Sequence, residues 1–163
     1  MVNALMLERL DGHLFGANQP CFGCGPNHPF GFHLEFERDG EAVVTRFVPG
    51  AQYQGPPGIM HGGLVMTLAD EVGAWALLVF KEKFGFTASV EGKLRRPVRI
   101  GVETEGRAWL ARQSSRVVRV AVRISQGGEE CFGAELGFVL MDQYSAEKML
   151  QCPMPQEWLR FCR

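Results

Sequence analysis

Residues 58–71 read Gly58-Ile-Met-His61-Gly62-Gly63-Leu-Val-Met-Thr-Leu-Ala-Asp70-Glu71, and this stretch decides the fold. Two glycines follow a histidine, a nearly continuous apolar run begins, and two acids then interrupt it. A helix that is apolar on almost every side is expected to be buried. Burying an ionised carboxylate is costly unless it is paired, hydrogen-bonded or used in chemistry. The acid at Asp70 therefore requires an explanation, and catalysis is a strong candidate.

On both sides of this stretch, the spacing of apolar residues predicts one long helix and six strands. The helix begins near His61 or Gly62 and ends near Lys81, with cations in its last turn and Gly85 beyond. The first two strands form a hairpin, and the other four form an antiparallel meander. The predicted strands are Phe32–Glu37, Ala42–Val48, Thr87–Arg96, Glu103–Ala111, Arg116–Ser125 and Cys131–Met141.

This order of elements predicts an α+β architecture. A sheet with one apolar face must cover that face. An apolar helix of about 18 residues is about 27 Å long, which is long enough for a curved antiparallel sheet to wrap around it. We therefore expect a lead-in segment over residues 1–31 with a short helix near Ala4–Leu10, a main domain over 32–142, and a mildly helical tail over 143–163.

Composition excludes several classes of protein. The 163 residues are 46% hydrophobic and 21% charged, with a net charge of −1, so nothing predicts binding to nucleic acid or an acidic membrane. The longest uninterrupted apolar stretch, Ala74–Phe80, is too short for a membrane span, and no secretory signal is apparent. Five scattered cysteines do not form a disulfide framework. We expect a cytoplasmic protein.

The His61-Gly62-Gly63 sequence is a candidate oxyanion site. The first N–H groups of a helix have no intrahelical partner, and the helix N-terminus carries partial positive charge. Glycine lets a ligand approach this backbone closely, and a developing oxyanion there would be stabilised. A glycine-rich turn that simply starts the helix is the structural alternative.

Asp70 lies eight residues after Gly62, so the two are about 12 Å apart along one helix. They cannot contact the same carbonyl, and cooperation requires a second copy of the helix, most simply across a two-fold axis. Glu71 competes with Asp70, since neighbouring helical positions differ by about 100°. The structural alternative for Asp70 is a carboxylate that buried hydroxyls satisfy.

Two further sets of residues are candidates for the site. Thr87 opens the strand after the helix, where its hydroxyl could orient a water or a carboxylate. Four cations, Lys93, Arg95, Arg96 and Arg99, lie within seven consecutive residues and suit phosphate groups such as those of coenzyme A. Both sets have a structural alternative. Thr87 can be an ordinary strand residue, and the four cations can protect a solvated strand edge.

The Cys21-x-x-Cys24 pair suggests metal or redox chemistry at first sight. One such pair supplies only two ligands, and the sequence shows no second pair to complete a zinc site. The pattern therefore predicts no metal site and favours a buried turn. No phosphate-binding loop, dinucleotide fingerprint or serine nucleophile motif is present.

These motifs together resemble the hotdog-fold acyl-CoA thioesterases of the phenylacetate-pathway type, over about residues 20–142. The resemblance is closest to the branch with an N-terminal Cys-Phe-x-Cys-Gly-Pro segment. The matching pieces are Cys21-Phe-Gly-Cys-Gly-Pro-Asn, Tyr53-Gln-Gly-Pro-Pro-Gly-Ile-Met-His-Gly-Gly, Thr67-Leu-Ala-Asp-Glu, and Thr87 through Arg95-Arg96-Pro97-Val98.

The resemblance implies a set of catalytic roles. Asp70 matches the acid that acts as general base or nucleophile, and Gly62 matches the backbone donor to the thioester carbonyl. Thr87 matches a hydroxyl near the attacking water, and His61 matches the histidine at the helix mouth. Many relatives carry an asparagine in the preceding loop, for which Gln54 is the candidate substitute here. The predicted substrate-binding residues are Gly63, Glu71, Lys93, Arg95 and Arg96.

The implied reaction is hydrolysis of an acyl-CoA thioester by a homodimer with composite sites, with dimers often paired into tetramers and no cofactor. Two alternatives stay open. One is a non-catalytic acyl-CoA or lipid-binding module of the same fold, which would bind coenzyme A analogues without releasing thiol. The other is an acyl-CoA hydratase or dehydratase, whose sites usually pair an aspartate with a histidine.

Overall fold

The computed structural model describes residues 9–163, in which one seven-stranded antiparallel sheet curves around one long helix. The elements are β1 (Leu10–Asp11), β2 (Glu35–Asp39), β3 (Ala42–Phe47), α1 (Gly62–Lys81), β4 (Gly85–Leu94), β5 (Thr104–Gln113), β6 (Val117–Gln126), β7 (Glu129–Leu140) and α2 (Gln143–Leu150). The sheet order is β1-β2-β3-β5-β6-β7-β4. The predicted hotdog fold is confirmed.

Helix α1 lies in the concave face of the sheet, as its apolar sequence predicts. By length and composition alone it could cross a membrane, yet its apolar side chains contribute to the protein core. Its fully buried residues include Leu68, Val72 and Trp75. The helix ends where Glu82 adopts a left-handed conformation (φ 49°) and donates its N–H to the carbonyl of Leu78. The predicted helix boundaries are confirmed.

The first strand of the hairpin, β2, starts later than predicted. Phe32 and Leu34 donate their N–H groups to the carbonyls of Phe22 and Gly23, at 2.9 Å each. These two residues are therefore hydrogen-bonded to the loop over residues 21–24, which carries the two cysteines, and β2 begins only at Glu35. The predicted helix near Ala4–Leu10 falls mostly outside the described residues, but Leu10 itself pairs with Phe36 as part of β1 and is not helical.

The lead-in and the tail pack against each other on the helix. Phe15 stacks on Trp158, with ring centroids 3.9 Å apart and an interplanar angle of 17°. Phe15 also meets Trp75 of α1 edge-on, with centroids 5.7 Å apart. The tail is helical over α2, and its Phe161 is part of the same core as Phe15. Residues outside the predicted main domain therefore help to cover one side of α1.

Strand β4 forms one end of the sheet, so only its edge towards β7 is paired within the chain. Large apolar side chains are exposed along it: Phe86 (50%), Val90 (44%) and Leu94 (49%). An open strand edge with apolar side chains is a ready site for pairing with another chain. Met66 on the neighbouring helix is exposed as well.

Candidate active site

Asp70 and Thr87 meet where helix α1 passes the start of strand β4. The Thr87 hydroxyl donates a hydrogen bond of 2.7 Å to Oδ1 of Asp70. Burial raises the pKa of Asp70, and the hydrogen bond from Thr87 opposes that rise. Both side chains keep some exposure to solvent. The pair is therefore a half-buried carboxylate held in place by one hydroxyl, an arrangement that is compatible with a general base.

The N-terminus of α1 leaves one backbone donor available. The Gly63 N–H is taken by Nδ1 of His61 at 3.0 Å, so the imidazole acts as the N-cap of the helix. Among residues 9–163, no acceptor faces the N–H of Gly62, the first helical residue. Gly62 is thus the free amide at the positive end of the helix. His61 positions this turn, and its ring tautomer with the proton on Nε2 fits the contact.

The loop before the helix is held by Gln54. Its Oε1 accepts the N–H of Gly58 at 2.7 Å, and its Nε2 donates to the carbonyl of Ala51 at 3.0 Å. The side chain therefore closes its own loop, while a second Nε2 hydrogen stays available. The carbonyl-binding role of Gln54 stays a prediction.

Strand β4 runs beside the helix between the two catalytic candidates. Asp70 contacts Thr87 near the start of the strand. A Cβ atom on Gly62 would lie 3.2 Å from Cδ1 of Leu94, at the end of the strand. Since Gly62 and Asp70 are eight residues apart in one helix, about 12 Å separates them. Within one chain they belong to opposite ends of β4.

The predicted cation cluster flanks the helix N-terminus but is partly neutralised. Arg95 contacts Glu130 at 2.8 Å, and Arg96 contacts Glu129 at 3.3 Å. Exposed pairs of this kind contribute little to stability and exchange partners easily. No ion pair involves Lys93 within the described part of the chain, nor does any involve Arg99.

A cavity of about 260 Å³ connects these cations with the helix start. Its lining includes Ile59 and Val65 on one side and Leu94 to Val98 on the other. The two sides are joined by hydrogen bonds from Met60 N–H to Val98 O at 2.8 Å and from Ile100 N–H to Gly58 O at 3.0 Å. The cavity has apolar walls with two guanidinium groups beside it.

Glu71 does not join Asp70 in this site. Its carboxylate lies 3.4 and 3.5 Å from the sulfur of Cys21 and accepts a hydrogen bond of 3.2 Å from Nε1 of Trp75. Burial raises the pKa of Glu71 to about 8. The structure therefore places this predicted substrate-binding residue on another side of the helix, away from Thr87.

The two cysteines of the lead-in form the expected buried turn. Gly25 donates its N–H to the carbonyl of Cys21 at 2.8 Å, and Cys24 is buried. A hydrogen bond from the Cys24 thiol, together with backbone donors, lowers the pKa of Cys21 to about 5. The same contact and burial raise the pKa of Cys24. The sequence could not reveal that Glu71 completes this cluster, because no pattern links it to the cysteines.

Comparisons with known proteins agree with this fold and helix motif. The model of the thioesterase superfamily matches residues 57–132, just under half of the chain, including α1 and strands β4 to β6. A solved thioesterase superfamily protein is 26% identical, covering 81% of this chain and 70% of that chain with a TM-score of 0.69. No curated protein sequence matches significantly.

Two more distant solved structures share the fold. A phenylacetic acid degradation-related protein from Ralstonia eutropha JMP134 is 20% identical, covering 66% of this chain and 85% of that chain, with a TM-score of 0.61. A hypothetical thioesterase protein with coenzyme A from Streptococcus pneumoniae TIGR4 is 16% identical, covering 66% and 87%, with a TM-score of 0.62. The match over residues 57–132 agrees with the thioesterase superfamily that the resemblance predicted.

Proposed function

We propose that the protein hydrolyses acyl-CoA thioesters to the free acid and coenzyme A. The observation that carries this proposal is the half-buried Asp70, held by Thr87, on a helix whose first amide is free. The match of residues 57–132 to the thioesterase superfamily model supports thioester hydrolysis. The cavity beside Arg95 and Arg96 suits an apolar arm ending in phosphates. The similar Streptococcus pneumoniae protein with coenzyme A adds support for the acyl-CoA class.

The reaction needs few groups. Asp70 takes a proton from a water molecule as the water oxygen bonds to the acyl carbon, and the Gly62 N–H stabilises the resulting oxyanion. The carbon–sulfur bond then breaks, the thiolate leaves, and it takes up the proton from Asp70. Because a thiolate is a good leaving group, no separate strong acid is required. Thr87 acts as a positioning residue through its hydrogen bond to Asp70.

The composite site needs a second chain, and the open edge of β4 supports a two-fold dimer. If two β4 edges pair antiparallel, the Leu94 end of one strand meets the Thr87 end of its partner. That pairing brings Gly62 of one protomer towards Asp70 of the other. It also covers the exposed half of Phe86, Val90 and Leu94, each contributing on the order of 1 kcal/mol. Dimers of this kind could pair further into tetramers.

The direct experiment is a panel of saturated acyl-CoA and enoyl-CoA substrates, with thiol release followed by a thiol-reactive dye. We expect thiol release from at least one acyl-CoA and no hydration of enoyl-CoA. Binding of coenzyme A without thiol release from any acyl chain would contradict the proposal and favour a binding module. Hydration without thiol release would favour a hydratase.

Replacing Thr87 tests its positioning role. Thr87→Val removes the hydroxyl and keeps the shape, and we expect kcat to fall about tenfold or more, since a hydrogen bond to a charged group is worth about 1.5–3 kcal/mol. Asp70 acts as a base only when ionised, so activity falls as pH drops through its pKa. Because the hydrogen bond lowers that pKa, its loss should move the acid limb of the pH–rate profile to higher pH.

The control for this prediction is Thr87→Ser, which retains the hydroxyl. It should keep both the rate and the position of the acid limb close to those of the unmodified protein. If Thr87→Val leaves both the pH profile and kcat unchanged, Thr87 has no positioning role in the reaction.

The dimer is tested at the β4 edge. Val90→Lys places a charge in the middle of the exposed strand, where it opposes pairing with another chain. We expect this variant to be a monomer by light scattering and to lose activity in parallel. Val48→Lys is the matched control, since Val48 is 55% exposed outside β4. A dimeric, active Val90→Lys variant would show that the subunits meet elsewhere.

A further inference from the structure

Three side chains with metal-binding atoms converge on the side of α1 away from Thr87. Cys21 and Cys24 come from the lead-in loop, and Glu71 comes from the helix. Their ligand atoms all lie within 4.8 Å of one another. Neither the thioesterase reaction nor the packing of the core accounts for a carboxylate placed against two thiols.

We propose that Cys21, Cys24 and Glu71 bind a thiophilic divalent cation, zinc in particular. Zinc lies about 2.3 Å from thiolate sulfur and about 2.0–2.2 Å from carboxylate oxygen, so a tetrahedral angle separates such ligands by roughly 3.5 Å. The Cys21 sulfur lies 3.5 and 3.4 Å from the two carboxylate oxygens of Glu71. The ligand atoms therefore already have the spacing of one edge of a zinc tetrahedron.

The choice of cation follows from the ligands. Thiolates select zinc and other soft cations over magnesium or calcium, which prefer oxygen. Two thiolates and a carboxylate would repel one another in a buried place, and a divalent cation offsets that repulsion. Binding displaces the ligand protons to solvent. The indole N–H of Trp75 then keeps the carboxylate oriented, at 3.2 Å from Oε1.

The loop is shaped to receive the carboxylate. A Cβ atom on Gly23 would lie only 2.5 Å from the carboxyl carbon of Glu71, so a larger residue there would push the acid away. The Gly25 N–H donates to the carbonyl of Cys21 at 2.8 Å and closes the turn that carries both thiols. These features hold the ligands in place before a cation arrives.

A fourth coordination position has room for a water molecule. A cavity of about 100 Å³ is bounded by all three ligands and by Ala74 and Trp75. One water occupies about 30 Å³. The cation would therefore have two thiolates, a carboxylate and a water. It would tie the lead-in to the helical turn that carries Asp70, because Asp70 and Glu71 are consecutive residues.

The test uses the purified full chain. The metal-free protein is titrated with Zn²⁺, passed through gel filtration and measured by elemental analysis; Co²⁺ replaces Zn²⁺ in a parallel titration followed by visible absorption. We expect one zinc per chain and the absorption of cobalt bound to thiolates in tetrahedral geometry. Cys21→Ser and Cys24→Ser should lose both signals, and Glu71→Gln should bind zinc at least tenfold more weakly.

Cys131→Ser is the matched control, since it removes a buried thiol of β7 that does not belong to the three-ligand cluster. It should retain zinc and the cobalt spectrum. Unmodified protein that retains no zinc and shows no cobalt–thiolate absorption would overturn the proposal, whether peptide mapping then finds a Cys21–Cys24 disulfide or two free thiols. Full zinc affinity in Glu71→Gln would overturn the assignment of the carboxylate as a ligand.

Discussion

Asp70→Asn is expected to lower kcat for acyl-CoA hydrolysis by about 10²–10⁴-fold, the usual contribution of a positioned general base. The amide has the shape of the carboxylate, and its oxygen can still accept the Thr87 hydroxyl hydrogen bond. It cannot accept a proton from water. KM should change much less than kcat, because substrate binding does not depend on this charge. Stopped assays with the preferred acyl-CoA measure both constants.

The control for Asp70→Asn is Asp39→Asn, which neutralises an exposed acid on β2 that pairs with Arg107. Its activity should match that of the unmodified protein. Turnover that is unchanged in Asp70→Asn would exclude Asp70 as the base.

Gly62→Pro is expected to lower kcat by about 10²–10³-fold, the effect of removing one oxyanion donor. Proline lacks the N–H group but suits the first position of a helix. The residue before it must be extended, and His61 already has φ −58° and ψ 131°. The substitution therefore deletes one amide with little cost to the helix, which circular dichroism and thermal unfolding can verify.

Gly62→Ala is the matched variant because it keeps the N–H. Its Cβ atom would meet only the terminal methyl of Leu94, at 3.2 Å, which can shift. We expect it to retain most of the activity. Equal losses in Gly62→Ala and Gly62→Pro would indicate that space at the helix start, and not the amide, governs the rate.

Local patterns were sufficient to predict the central helix and the sheet. The glycines at 62 and 63, the apolar run and Lys81 mark the helix ends by chemistry that acts within one turn. Alternation of apolar and polar residues likewise acts along each strand. Asp70 was identifiable because an acid in an apolar helix is conspicuous without any knowledge of its neighbours.

Contacts between distant segments could not be predicted in this way. Glu71 was interpreted from its neighbour Asp70, yet its contacts are with Cys21, Cys24 and Trp75. The local sequence shows only two potential metal ligands, Cys21 and Cys24, and therefore predicts no metal site. Recognising the third requires knowing that the lead-in folds back onto α1.

The ion pairs of the cation cluster could not be predicted from local sequence either. Arg95 and Arg96 were visible as a run of charge, but their partners Glu129 and Glu130 come from a strand more distant in the chain. Whether a cation is free depends on the register between β4 and β7. Alternation of apolar and polar residues likewise predicts a strand at Phe32, although its N–H donates to the carbonyl of Phe22.

The most direct test of the shared site is to mix two inactive chains. Asp70→Asn and Gly62→Pro chains, co-expressed and purified together, form mixed dimers in which one site has an intact Asp70 facing an intact Gly62. With random pairing, half of the dimers have one working site, so we expect about a quarter of the normal activity. A mixture as inactive as either parent would mean that acid and amide do not meet across a dimer.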